Sequence, residues 1–277
     1  MRAADGIELA TEHHSVPACR GRVVIVHGYA EHRGRYRHVV EALVAARYAC
    51  HLLDLRGHGD SGGPRGHISR FAEYREDLER FLDEVRALPE AASPLLLLGH
   101  SLGGLIALDF ALHRPEAFDA LAVSSPYLAP AFTIPFWKKA LLTPVAKIGP
   151  TRSVPTALDP VWLSHDPLVV GAYATDPKVF STVTLGWFTE VQKAQAEVFE
   201  KAPAITTPIL LQIGDADPIA DPKRTRALFE RLGSADKRLL AYPGLLHEIF
   251  NELERGRVIG DLLAWLGERT AGTPAPD

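Results

Sequence analysis

Sulfur is scarce in this sequence: two cysteines, Cys19 and Cys50, and one methionine stand among 277 residues. So few cysteines exclude a disulfide framework. Cys50 lies in the apolar run Tyr48-Ala49-Cys50-His51-Leu52-Leu53 and reads as a small hydrophobe in a buried strand. Basic charge is not in surplus either, with 30 Lys and Arg against 34 Asp and Glu and a formal net charge of -4. Nucleic acid is therefore not an expected partner. No stretch approaches the ~18 consecutive apolar residues of a membrane span. Met1 to Gly6 offers no apolar core before Asp5, so the start does not read as a secretory signal, and a cytoplasmic location is expected. The twelve histidines form no H-E-x-x-H or other metal-ligand spacing, and His13-His14 reads as an exposed pair. Neither a metal nor a cofactor is expected, and no internal repeat is visible.

What is present is an ordinary globular composition, 47% apolar and 23% charged. Apolar runs punctuate it at 22–26, 48–54, 95–98, 121–123, 209–213 and 238–241. Amphipathic stretches separate them, at 36–47, 69–88, 102–112, 222–232 and 258–266, with Ser69 placed to cap the second. Strands alternating with helices predict a mostly parallel sheet with helices on both faces. Such sheets bind ligands beyond the carboxyl ends of their strands. The alternation breaks at Pro126, and from there to about Lys201 the chain is rich in proline and aromatics. The expected organisation is a core of residues 1–125 and 202–277 with a lid inserted at 126–201.

The run 95–98 ends in Gly99-His100-Ser101-Leu102-Gly103-Gly104, a G-x-S-x-G between a strand and a helix. That is the setting of a nucleophile elbow: small neighbours permit a sharp turn that lifts the Ser101 hydroxyl above the sheet. It also leaves the Leu102 amide at a helix N-terminus, where an oxyanion is favoured. An elbow needs an acid and then a base further along the chain. The strand 209–213 ends in Gly214-Asp215-Ala216-Asp217, so either aspartate qualifies, and His247 is the one histidine after them. After the first central strand, Val26-His27-Gly28-Tyr29 supplies the second oxyanion donor, the Tyr29 amide, with Gly28 allowing close approach. His27 reads as a residue holding this loop by hydrogen bonding.

Gly57-His58-Gly59-Asp60-Ser61-Gly62-Gly63-Pro64 matches two other strings, a chymotrypsin-like nucleophile and a dinucleotide G-x-G-x-x-G. Neither context fits. The residues before Ser61 are spent on parallel-type strands and a helix, and no helical pattern opens on Gly62.

Together the motifs resemble the monoglyceride lipase and lysophospholipase-like branch of the α/β-hydrolases. The resemblance rests on H-G-x-x-E-H-x-x-R-Y at 27–36, Asp54 to Ser61, Gly99 to Gly104, Ser124-Ser125-Pro126, Gly214 to Asp217 and Tyr242 to His247. It implies the α/β-hydrolase fold with a lid, Asp217 rather than Asp215 as the acid, and a structural role for the loop 54–61. It also implies a serine esterase: His247 takes the Ser101 proton, Asp217 orients His247, and the Tyr29 and Leu102 amides hold the oxyanion. A lipid ester with one acyl chain is the expected small-molecule partner. Tyr127, Leu128, Phe132, Phe136, Trp137, Ile219 and Leu246 are candidates for the acyl pocket. The apolar segment 127–137, with Lys138, Lys139 and Lys147 nearby, would let the lid touch a membrane transiently. A general carboxylesterase, a peptidase or an acyltransferase on the same residues, or an idle ligand-binding relative, are the alternatives.

Overall fold

The computed structural model describes residues 1–89, 93–132, 149–156 and 158–271. The expectations for Phe136, Trp137 and the three lysines near them lie outside the described residues. The β-branched and leucine runs become strands buried along their whole length: β2 Gly21–Val26, β3 Tyr48–Leu53, β4 Leu95–His100 and β5 Ala120–Ser124. Two further strands, β8 Ile209–Gly214 and β9 Lys237–Tyr242, complete the parallel part of the sheet. An antiparallel edge strand, β1 Thr11–His14, pairs with β3, giving the order β1-β3-β2-β4-β5-β8-β9 among the described residues. This is the α/β-hydrolase fold.

Period-two alternation divides the strand side chains between two cores. Val24, Val26, Leu95 and Leu97 face one side, and Val23, Ile25, Leu96 and Leu98 the other. On the first side pack α2 (Ala72–Arg86) and α3 (Leu102–His113). On the second pack α1 (Arg37–Ala45) through Val39, Val40 and Leu43, and the last helix (Arg255–Thr270) through Leu262, Trp265 and Leu266. Because α3 is buried nearly all round, its sequence is apolar without a polar face.

Two local expectations are corrected. Helix α2 opens at Ala72, and Ser69 does not cap it; instead the Glu73 carboxylate accepts the Ser69 amide (3.2 Å). His13 and His14 are half-buried in β1: His13 Nδ1 lies 3.0 Å from His51 Nδ1, and its Nε2 lies 3.0 Å from Glu84.

Between β5 and β8 the chain leaves the sheet. Among the described residues it forms a small antiparallel pair, β6 Ser153–Pro155 with β7 Thr182–Thr184, and two α-helices, α4 Pro167–Thr175 and α5 Leu185–Glu200. Trp187, Val191, Ala194 and Val198 of α5 join the same apolar cluster as α2 and α3. Through α5 this segment packs on the same side of the sheet as α2 and α3.

Candidate active site

The turn from β4 into α3 puts Ser101 at φ +53 and ψ -115, a backbone state that costs a non-glycine residue about 1–3 kcal/mol. Its neighbours make the turn possible, since a Cβ on Gly99 would collide with the Gly103 carbonyl and one on Gly103 with the Val26 carbonyl. Ser101 Oγ lies 2.9 Å from His247 Nε2, and His247 Nδ1 lies 2.7 Å from Asp217 Oδ2. A carboxylate only accepts, so Nδ1 carries the proton and the Nε2 lone pair faces the hydroxyl. Asp217 Oδ1 accepts from the Ile219 and Ala220 amides (2.8 and 2.9 Å), which fixes the carboxylate. Asp215, the other acid at this strand end, is exposed and bonds Arg226 instead (2.7 Å).

Burial disfavours the His247 imidazolium, but the Asp217 carboxylate outweighs that and raises its pKa above the ordinary 6.5. Glu248 and Glu31 act in the same direction. His100 packs on it at 4.9 Å between ring centroids and bonds Ser124 Oγ (3.1 Å). Burial and then the charge of His247 push His100 down to about 4, so it is neutral at physiological pH.

The loop after β2 lies opposite. His27 Nδ1 donates to the Gly28 carbonyl (2.7 Å), and its Nε2 accepts the Leu55 amide (2.9 Å), tying this loop to the next. The Gly28 amide donates to Glu31 Oε1 (2.6 Å), and a Cβ on Gly28 would lie 2.7 Å from that oxygen and 3.2 Å from Ser101 Cβ. A side chain there would displace the Glu31 carboxylate and press on Ser101. Tyr29 and Leu102 both line the cavity that Ser101 opens into, and Leu102 is the first residue of α3.

That cavity has a volume of about 450 Å³ and is mainly apolar. Tyr127, Phe132 and Ile219 line it, as do Leu158, Trp162, Leu163, Tyr173, Val183, Trp187 and Phe188 of the insertion. Its polar lining includes Glu31, His100 and Glu248. Two sequence candidates fall outside the lining. Leu128 is taken into the core cluster beside α3, and Leu246 sits half-buried with its amide bonded to Glu252 (2.9 Å). Tyr127 and Phe132 were legible, but the lining residues from Leu158 to Phe188 were missed because an aromatic-rich segment carries no periodic signal for which rings face inward. Glu31 and Glu248 were missed because a carboxylate without a partner spacing reads as surface.

Asp109, His113 and Glu197 bring ligand-type atoms within 4.8 Å of one another on α3 and α5. Arg75 donates to Asp109 (2.8 Å) and Lys201 to Glu197 (2.8 Å), so protein cations already meet these charges.

A serine hydroxyl on a strained turn, bonded through imidazole to a buried carboxylate at the carboxyl edge of a parallel sheet, defines a serine hydrolase of the α/β-hydrolase class. The family described as serine aminopeptidase, S33 (Hydrolase_4) matches residues 17–254, and the chain belongs to it. It is 36% identical over 248 residues to a monoacylglycerol lipase of Mycolicibacterium smegmatis, covering 89% of this chain and 88% of that one. It is 30% identical over 240 residues to a phospholipase of Bacillus subtilis, covering 84% and 90%. The crystal structure of a Paleococcus ferrophilus monoacylglycerol lipase superposes with a TM-score of 0.87 at 34% identity, covering 95% of this chain and 99% of that one.

Proposed function

We propose that this protein hydrolyses monoacylglycerols and similar single-chain lipid esters through an acyl intermediate on Ser101. The observation that carries the reading is the hydrogen-bonded chain Ser101–His247–Asp217 opening into a mainly apolar cavity of about 450 Å³. In this reading His247 takes the Ser101 proton as the hydroxyl attacks the ester carbonyl, then delivers it to the leaving alcohol. A water activated by the same imidazole releases the fatty acid. Asp217 holds the tautomer and stabilises the imidazolium. The Tyr29 and Leu102 amides receive the oxyanion, each contributing about 3 kcal/mol to the transition state.

The insertion at 126–201 serves as a lid whose aromatic residues hold the acyl chain. The family description includes aminopeptidases, which must receive an α-ammonium. Both carboxylates of the lining, Glu31 and Glu248, are instead paired with Arg35, so the lipid ester is favoured. The relatives' names, monoacylglycerol lipase and phospholipase, point the same way.

The lid also carries the apolar rim for transient contact with lipid. Val161 and Leu168 of the lid are 56% and 80% exposed, Leu253 of the core is 66% exposed, and the bonds of Ser164 and His165 to Asn251 and Glu252 join the two segments. Phe132, at the cavity, is also exposed and packs against Trp162. No helix among the described residues is long and apolar enough to cross a membrane.

The test is hydrolysis of a monoacylglycerol series from short to long chains beside p-nitrophenyl acetate and aminoacyl anilides. The expected result is a kcat/KM that rises with chain length and then plateaus, and no anilide cleavage. Preference for acetate, or efficient anilide cleavage, would overturn the lipid reading.

A further inference from the structure

Arg35 sits at a junction of three segments that all line the cavity. Its side chain is only 10% exposed, and its guanidinium donates to Glu31 Oε2 (3.0 Å) and, through both terminal nitrogens, to the two oxygens of Glu248. Glu31 holds the oxyanion loop, accepting from the Gly28 amide and from Tyr36 OH (2.8 Å). Glu248 follows His247 directly, donates its own amide to the Leu163 carbonyl (2.8 Å) and is also held by Asn251 (2.8 Å). Cζ of the same guanidinium lies over the ring of Tyr173 on α4, 4.7 Å from its centroid.

We infer that Arg35 is a positioning residue for hydrolysis: its planar fork sets the oxyanion loop, the His247 loop and lid helix α4 at a fixed spacing around Ser101. The inference rests on the reading of Ser101, His247 and the Tyr29 amide given above. Both carboxylates are buried, and two anions so close are tolerable only with a shared cation. Burial pushes the Glu31 carboxyl up, but Arg35 with His100 and His27 outweighs that and holds it at about 2, so the bridge is ionic across the physiological range. A lysine cannot replace this geometry, because an ammonium lacks the fork that meets a carboxylate with two bonds and the flat face that stacks on Tyr173. The spacing so fixed is that between the oxyanion donor and the base, where an error of 1 Å costs on the order of 10²-fold in rate.

The test compares wild type, Arg35→Met, Arg35→Lys and Glu248→Gln on a soluble p-nitrophenyl ester, each first checked for a native circular dichroism spectrum and melting transition. For Arg35→Met, kcat is expected to fall about 10²-fold with KM changed less than about threefold, and fluorophosphonate inactivation to slow in parallel. Arg35→Lys is expected to stay at least about tenfold below wild type. If Arg35→Met does not fold, Glu248→Gln decides. It keeps the Arg35–Glu31 pair but weakens the tie to the His247 loop, so kcat falls and the acid limb of kcat/KM moves to lower pH. Folded variants with lowered Tm but near-wild-type kcat and an unmoved acid limb would overturn the inference. A wild-type protein that fails to react with the fluorophosphonate would instead overturn the reading of Ser101, so the two failures are distinct.

Discussion

Ser61 and Ser101 are both buried serines in glycine-rich loops, and their hydrogen bonds set them apart. Ser61 Oγ donates to the Asp54 carbonyl (2.6 Å) and accepts the Ala10 amide (2.9 Å), which leaves it no free role in chemistry. Ser61→Ala is expected to lower stability by about 1–3 kcal/mol while kcat on a soluble ester stays within about twofold, as urea unfolding and steady-state kinetics would show. His247 makes a second residue-scale prediction. Its raised pKa means that the imidazolium, useless as a base, forms at higher pH than it would for an ordinary imidazole. The acid limb of kcat/KM should therefore have an apparent pKa above 6.5, and activity should rise with pH through it. A limb well below 6.5 would show that Asp217 does not support the imidazolium. These roles were partly legible from spacing. The order Ser101, then Asp215 or Asp217, then His247 was readable from spacing, which left the two aspartates open; the resemblance pointed to Asp217, and in the structure Asp217 bonds His247 while Asp215 bonds Arg226.

Among the elements, those buried on both faces were the readable ones. A strand such as β4, Leu95–His100, must be apolar throughout because helices cover both sides. The edge strand β1, with the sequence Thr-Glu-His-His, carries no such pattern and pairs on one side only. Its histidines consequently read as exposed. The short strands β6 and β7 and helix α4 escaped for a related reason: they are held by tertiary contacts such as Tyr29 OH to the Thr182 carbonyl (2.9 Å) and His32 to Asp176 (2.8 Å). Helix α5 joins the insertion to the apolar core beside α2 and α3. Its Trp187 is buried, donates to Tyr74 OH (3.2 Å) and packs on Tyr29 with ring centroids 4.1 Å apart. Trp187→Ala is expected to cost about 3–5 kcal/mol in chemical denaturation, because the cavity left behind can close only in part. A cost under about 1 kcal/mol would mean that α5 does not anchor the insertion.

At the scale of the whole molecule, buried neutral histidines cluster around the site. Burial lowers the pKa of His27 and of His100, the latter to about 4, and it pushes His58, bonded to the Arg56 carbonyl (2.9 Å), down to about 3. Each binds a proton in the unfolded chain below pH 6.5 but not in the folded one, so their contribution to stability is lost as pH falls from 6.5 towards those lower values. His38 and His67 are lowered by burial as well, whereas His247, with a raised pKa, works in the opposite sense and is a single residue against five. Tm should accordingly decline from neutral pH to about pH 5, and the slope should be shallower in His58→Phe. A flat profile would contradict the assignment of these rings as neutral. The same burial that suppresses His27, His58 and His100 leaves His247 as the one base among these four that faces the Ser101 hydroxyl. Ser101 is the proposed nucleophile, and mass-spectrometric mapping of a fluorophosphonate adduct is the sharpest test of that role. A single adduct is expected on the peptide containing Ser101, absent in Ser101→Ala and formed far more slowly in Asp217→Asn. An adduct on another residue, or labelling undiminished in Ser101→Ala, would contradict it.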